Sequence, residues 1–182
     1  LKDIVPIVIT PFDDELKLDE VSLQRHVEFC VACGGKGLVG PANASEFSTL
    51  SDAERQRWLE IVVSAAQGVP VVASVTSGHL QPAIDLARFA IDTGVAAIMS
   101  MPPPLLKPDT AGCVAFFTDL ASSIAPTPLI VQNYAPPLGT PLSSATLAKL
   151  CEQVDNIEYI KEELPPETRM ISSTLAAVGD AC

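Results

Sequence analysis

Apolar residues in this chain cluster into short runs that alternate with stretches of helical spacing. β-branched runs begin near Ile4, Lys36, Val69, Ala96, Thr127 and Ile157, and each gives way to a helical pattern. The repeat of about 30 residues is that of a strand–helix–strand unit. Continuous apolar strands alternating with helices mean a parallel sheet covered by helices. The pattern predicts an α/β fold of six βα units forming one domain over residues 1–182.

Helix boundaries carry their own signals. Asp19, with Ser22 three residues on, announces a helix bearing Val21, Leu23, Val27, Phe29, Cys30 and Cys33, which Gly34-Gly35 ends. Ser51 and Glu54 form a capping box for a helix whose inner face carries Trp58, Ile61, Val62 and Ala65, with Trp58 expected in the core or at an interface. Ser143 caps the fifth helix. Many of the sixteen prolines follow a predicted strand, stiffening the loops along one edge.

That edge is where chemistry is expected in parallel α/β folds. After the second run, Pro41-Ala42-Asn43-Ala44-Ser45-Glu46-Phe47 has the small and hydrogen-bonding residues of an anion-binding nest, and equally those of an ordinary turn. His79, in Thr76-Ser77-Gly78-His79, is the one imidazole on this edge; it suits proton transfer, or helix capping. His26, within the first helix, reads as a surface or packing residue. The sixth run, Asn156-Ile157-Glu158-Tyr159-Ile160-Lys161-Glu162-Glu163, ends on a lysine before Leu164-Pro165-Pro166. Desolvation at a strand end favours the neutral amine, a nucleophile toward carbonyls. The competing reading pairs Lys161 with Glu162 or Glu163 on a wet rim.

Composition narrows the partners. Net charge of −11 and a pI near 4.4 argue against nucleic acid or an anionic membrane, so an anionic substrate would be held by local dipoles. The 48% hydrophobic content supports a buried core, and no apolar run reaches the ~18 residues of a membrane span. No basic leader segment opens the sequence, which makes the cytoplasm the expected compartment. Five scattered cysteines do not form a disulfide framework; Cys30-Val-Ala-Cys33 reads as helix packing, and no metal site emerges.

The strand-six lysine in Tyr159-Ile160-Lys161-Glu162, the loop Ala42-Asn43-Ala44-Ser45-Glu46 and the segment Gln132-Asn133-Tyr134-Ala135 together resemble the dihydrodipicolinate synthase and N-acetylneuraminate lyase superfamily over essentially the whole chain. The resemblance implies a (β/α)8 TIM barrel, a Schiff base between Lys161 and a 2-oxo acid with no separate cofactor, and a homo-oligomer, dimer or tetramer. Asn43 with the Ala44 and Ser45 amides then holds the substrate carboxylate. Two departures stand out. The family's Gly-Thr-Thr-Gly-Glu loop is replaced here, and Gln132 occupies the place of the catalytic tyrosine. A shift by one residue would bring Tyr134 toward the site, although such a slip points a side chain to the opposite face.

An amide cannot take the proton that an aldolase removes from the C4 hydroxyl. Gln132 can still hydrogen-bond a hydroxyl, which suits dehydration. Ala42-Asn43-Ala44-Ser45-Glu46, Met101-Pro102-Pro103, Val131-Gln132-Asn133 and Thr76-Ser77-Gly78-His79 look similar to the 2-keto-3-deoxy-L-arabonate dehydratase branch. That implies a class I lyase acting on a 2-keto-3-deoxy sugar acid. The alternatives are a pyruvate-dependent aldolase or synthase, and a non-catalytic 2-oxo-acid-binding protein. Six βα units fall short of a closed eight-stranded barrel of ~250 residues, so the chain is expected to stop where a seventh strand would begin, around Ala177–Cys182.

Overall fold

The computed structural model describes residues 3–179 and Cys182. Strands and helices alternate: α1 (Glu20–Ala32), β1 (Leu38–Gly40), α2 (Asp52–Ala65), β2 (Val71–Ser74), α3 (Leu80–Thr93), β3 (Ala97–Ser100), α4 (Thr110–Ile124), β4 (Leu129–Tyr134), α5 (Ser144–Gln153), β5 (Ile157–Glu163) and α6 (Glu167–Val178). The expected seventh-strand region begins inside α6, and residues 180 and 181 lie outside the described ones.

Among the described residues, five strands stand where six were expected. The run from Ile4 is extended but meets β1 only through a single parallel bridge, Ile7 to Val39. Val8 N–H donates to Val39 O and Val39 N–H to Pro6 O. Pro6 and Pro11 lack the N–H that a regular ladder requires, so pairing does not propagate.

The chain divides into two compact units, one running to Ser74 and including Leu86–Ala97, the other made of Val75–Asp85 and Ile98–Cys182. In the first, β1 and β2 are parallel, with Leu38, Val39 and Gly40 opposite Val71, Val72 and Ala73. The Asp19 carboxylate accepts from Ser22 N–H and hydroxyl, which holds it below the usual carboxylate range. Ser51 and Glu54 make the expected reciprocal box. α1 buries Leu23, Val27 and Cys30, while its Val21 and Phe29 are exposed. Trp58 is fully buried, a core residue. Its ring crowds Gly40, at φ +156°, where an added Cβ would lie 2.5 Å from the indole.

In the second unit, β3 pairs with β4 and β4 with β5, both in parallel. Ser143 caps α5 by accepting from Thr146 N–H. The Phe116 and Phe117 rings of α4 meet edge to face at 5.4 Å, and both are buried. Burying such a ring stabilises by about 1.5–3 kcal/mol, so both rings anchor α4 in the core of this unit. Among the described residues, no helix is long and apolar enough to cross a membrane.

Candidate active site

Lys161 lies on β5, the sixth run of the sequence. Register pairs Gln132 with Lys161, Asn133 with Glu162 and Tyr134 with Glu163. Successive side chains alternate between the faces of a strand, so Gln132, Lys161 and Glu163 share one face. Their functional groups converge: Lys161 Nζ lies 2.7 Å from Glu163 Oε2, and Gln132 Nε2 donates to the same oxygen at 2.7 Å. Gln132 is 1% exposed, whereas the Lys161 and Glu163 side chains are 27% and 30% exposed. The lysine is thus found in an ion pair, with Glu163 as its partner. The carboxylate holds Nζ in place, and the Gln132 amide, a donor to the same oxygen, fixes the carboxylate's orientation.

Glu163 is the member of this cluster that the sequence reading left as a bland partner. Its spacing of two residues from Lys161 was the available signal, since i and i+2 share a face. The same rule corrects the reading of Tyr134. It stands two residues from Gln132, so in the observed register it falls on the lysine face at the end of β4, half-buried, without any slip.

The opposite face is closed by polar bonds. Asn133 Nδ2 donates to both Glu162 carboxylate oxygens, at 3.1 and 3.0 Å, and to Leu142 O at 3.0 Å. Leu142 N–H returns a bond to Asn133 Oδ1. Glu162 also accepts from Leu164 N–H and from the Thr174 hydroxyl. His79 is exposed and accepts from Gln81 N–H at 3.4 Å, a capping bond at the start of α3. Among the described residues it makes no hydrogen bond to Lys161, Gln132 or Glu163.

In the first unit, the loop after β1 forms short 3-10 turns over Asn43–Ser45 and Phe47–Thr49, joined by Glu46 at φ 57°. Ser45 departs from its expected role. Its amide donates to Ala42 O, and its buried hydroxyl donates to Val8 O and accepts from Ala42 N–H. The turn therefore consumes the Ser45 amide, one of the groups expected to meet a carboxylate. Ala44 is exposed. Asn43 is the better candidate: its Oδ1 and Nδ2 are buried and without a hydrogen-bond partner. Such an orphaned amide is costly and suits a ligand or ordered water.

Arg55, which the sequence reading passed over, is 5% exposed, lies 5.8 Å from the Phe47 ring and donates to Ser74 O. Burial pushes its guanidinium down to about 10. The α1 thiols split: Cys30 is buried and Cys33 exposed, so packing accounts for one of the pair. His26 lies 3.8 Å from Cys30 Sγ, part-buried, a packing position.

The dihydrodipicolinate synthetase family matches residues 1–179. A 4-hydroxy-tetrahydrodipicolinate synthase of Methanopyrus kandleri is 36% identical over 164 residues, covering 89% of this chain and 54% of that protein. An L-2-keto-3-deoxyarabonate dehydratase of Azospirillum brasilense is 32% identical over 186 residues, covering 99% of this chain and 59% of that one. A crystal structure of a dihydrodipicolinate synthase matches with TM-score 0.89 and 30% identity over 98% of this chain and 61% of the other. The fold is accordingly that of a TIM barrel, of which this chain supplies about five βα units. The chain spans 54% to 59% of the two curated relatives' length.

Proposed function

The chain belongs to the dihydrodipicolinate synthetase family, and we propose that it carries the Schiff-base centre of a class I lyase acting on a 2-oxo acid. The observation that supports this reading is the convergence of Lys161 Nζ and Gln132 Nε2 on Glu163 Oε2. Glu163 takes a proton from the Lys161 ammonium. The freed amine adds to the substrate carbonyl, and loss of one water gives an iminium on Nζ. That covalent link is the electron sink, so the reading calls for no further cofactor.

Dehydration of a 2-keto-3-deoxy sugar acid is the reaction we favour. A carboxylate on the lysine face removes a C3 proton from the iminium, giving an enamine. The enamine electrons then expel the C4 hydroxyl, which leaves as water with the proton the carboxylate took from C3. Tautomerisation of the resulting C3=C4 alkene and C5 alcohol gives the C5 aldehyde, and hydrolysis of the iminium frees Nζ. Gln132 donates a hydrogen bond and takes no proton, which suits orienting that hydroxyl rather than deprotonating it. Within the first unit, Asn43, with its unpartnered amide, is proposed as a carboxylate ligand. His79 keeps only a capping role in this scheme. A homo-oligomer remains part of the proposal on family grounds.

An aldolase or synthase is the second reading. It draws on Tyr134, whose phenol stands on the lysine face and could serve as acid and base for carbon–carbon chemistry, and on the relatives that are synthases.

Incubation with pyruvate and sodium borohydride tests the nucleophile: a reduced adduct on Lys161 is expected by peptide mass analysis, and its absence rejects the mechanism. Incubation with 2-keto-3-deoxy-L-arabonate then separates the reactions. Release of 2-oxoglutarate semialdehyde is expected; release of pyruvate selects the aldolase.

A further inference from the structure

We infer that Glu162, Asn133 and Thr174 form a positioning clamp on the far face of the β4–β5 ladder, which sets Gln132 and Glu163 against Lys161; the inference rests on the reading of Lys161 as the nucleophile. A shift of one residue in a strand pair exchanges its faces. Here it would turn Lys161 away from Gln132. The ladder does not fix this register from its start, because pairing is irregular between Leu129 and Ile130: Leu129 faces Ile157, whereas Ile130 faces Tyr159. Whatever sets the register must act beyond that irregularity.

The Asn133–Glu162 pair is placed to do so. It is the rung next to Gln132–Lys161, and its hydrogen bonds are specific to this alignment. Asn133 is 1% exposed and Thr174 5%. Leu142 receives and returns bonds with the Asn133 amide, which ties the segment before α5 to β4. The Thr174 hydroxyl on α6 donates to Glu162 Oε2 at 2.9 Å and lies 3.1 Å from the Ser144 hydroxyl on α5. Leu164 N–H, immediately after the strand, donates to Glu162 Oε1. β4, through Asn133, and α6, through Thr174, thus meet on one carboxylate of β5, with α5 joined through Ser144 to Thr174, and any slip would leave several buried polar groups without partners.

Substitution at Thr174 separates hydrogen bonding from packing. Valine keeps the shape and loses the hydroxyl; serine keeps the hydroxyl and loses the methyl. Two readouts are followed in the full chain alongside thermal melting: the rate of the borohydride-trapped pyruvate adduct on Lys161, and the labelling of Lys161 by acetic anhydride relative to Lys149. The second needs no 2-oxo acid. Thr174→Val is expected to slow the adduct about tenfold, the scale of one lost bond to a charged group. It should also raise relative labelling severalfold, as Nζ leaves Glu163. Thr174→Ser should stay within about twofold of the native chain in both readouts.

Equal effects of the two variants, or a larger effect of serine, would overturn the clamp. If the valine variant does not fold, Glu162→Gln decides: it keeps the size of the side chain but turns one contact with Asn133 Nδ2 into donor against donor. Relative labelling of Lys161 must then rise, and unchanged labelling overturns the inference. If the native chain forms no pyruvate adduct, the Schiff-base reading fails, while the labelling ratios still decide the clamp.

Discussion

Residues 132 and 133 are both amides, each buried and each bonded to a glutamate on the neighbouring strand, yet they do opposite things. Gln132 meets a carboxylate that also holds Lys161 and is partly open to solvent. Asn133 meets a carboxylate whose oxygens are also engaged by the Leu164 backbone N–H and a helix hydroxyl, Thr174. The difference lies in what remains unsatisfied, not in residue type. A carboxylate beside an amine and an opening can exchange protons; one surrounded by fixed donors can only hold geometry.

Substitutions on the two faces should therefore separate chemistry from stability. Lys161→Met is expected to abolish the borohydride-trapped adduct while changing stability by no more than about 1 kcal/mol, since its ion pair is partly exposed; a persistent adduct at another lysine would break the comparison. Glu163→Gln should slow adduct formation by about a hundredfold, the low end of what a positioned acid or base contributes, with little movement of the melting temperature. A rate unchanged in that variant would remove Glu163 from the chemistry. Asn133→Leu reverses the pattern: leaving Leu142 N–H and the Glu162 oxygens without their amide should cost about 1–3 kcal/mol in denaturant unfolding. The smallest effect is expected for Ser144→Ala, about 0.5 kcal/mol or less, because Thr174 still reaches Glu162 without it. A larger loss there would show that the far-face network runs through α5.

Much of the framework was legible because it depends on local rules. Asp19, Ser51 and Ser143 cap helices where a polar side chain precedes an amphipathic stretch. The lysine at the end of the sixth run was legible from the break after it and from the family resemblance. What escaped depended on partners distant in sequence. The Ser45 amide was read as a ligand donor, but it closes the turn on Ala42 O, in a loop that the Ser45 hydroxyl ties to Val8 O, 37 residues away. The first extended run looked like the others by composition, yet its prolines cannot sustain a ladder. Glu163 and Tyr134 were recoverable by counting in twos along their strands, once the register was known.

The alternation along β4 and β5 also bears on how such a site can be altered. Positions 132 and 163 share the face of Lys161, while 133 and 162, their immediate neighbours in the chain, share the opposite one. A mutagenesis library that randomises 132, 134 and 163 and leaves 133 and 162 untouched would explore new reactions on an intact scaffold. A library that treats residues 132–134 as one cassette would lose stability at position 133 in most of its members and leave less of it for new chemistry.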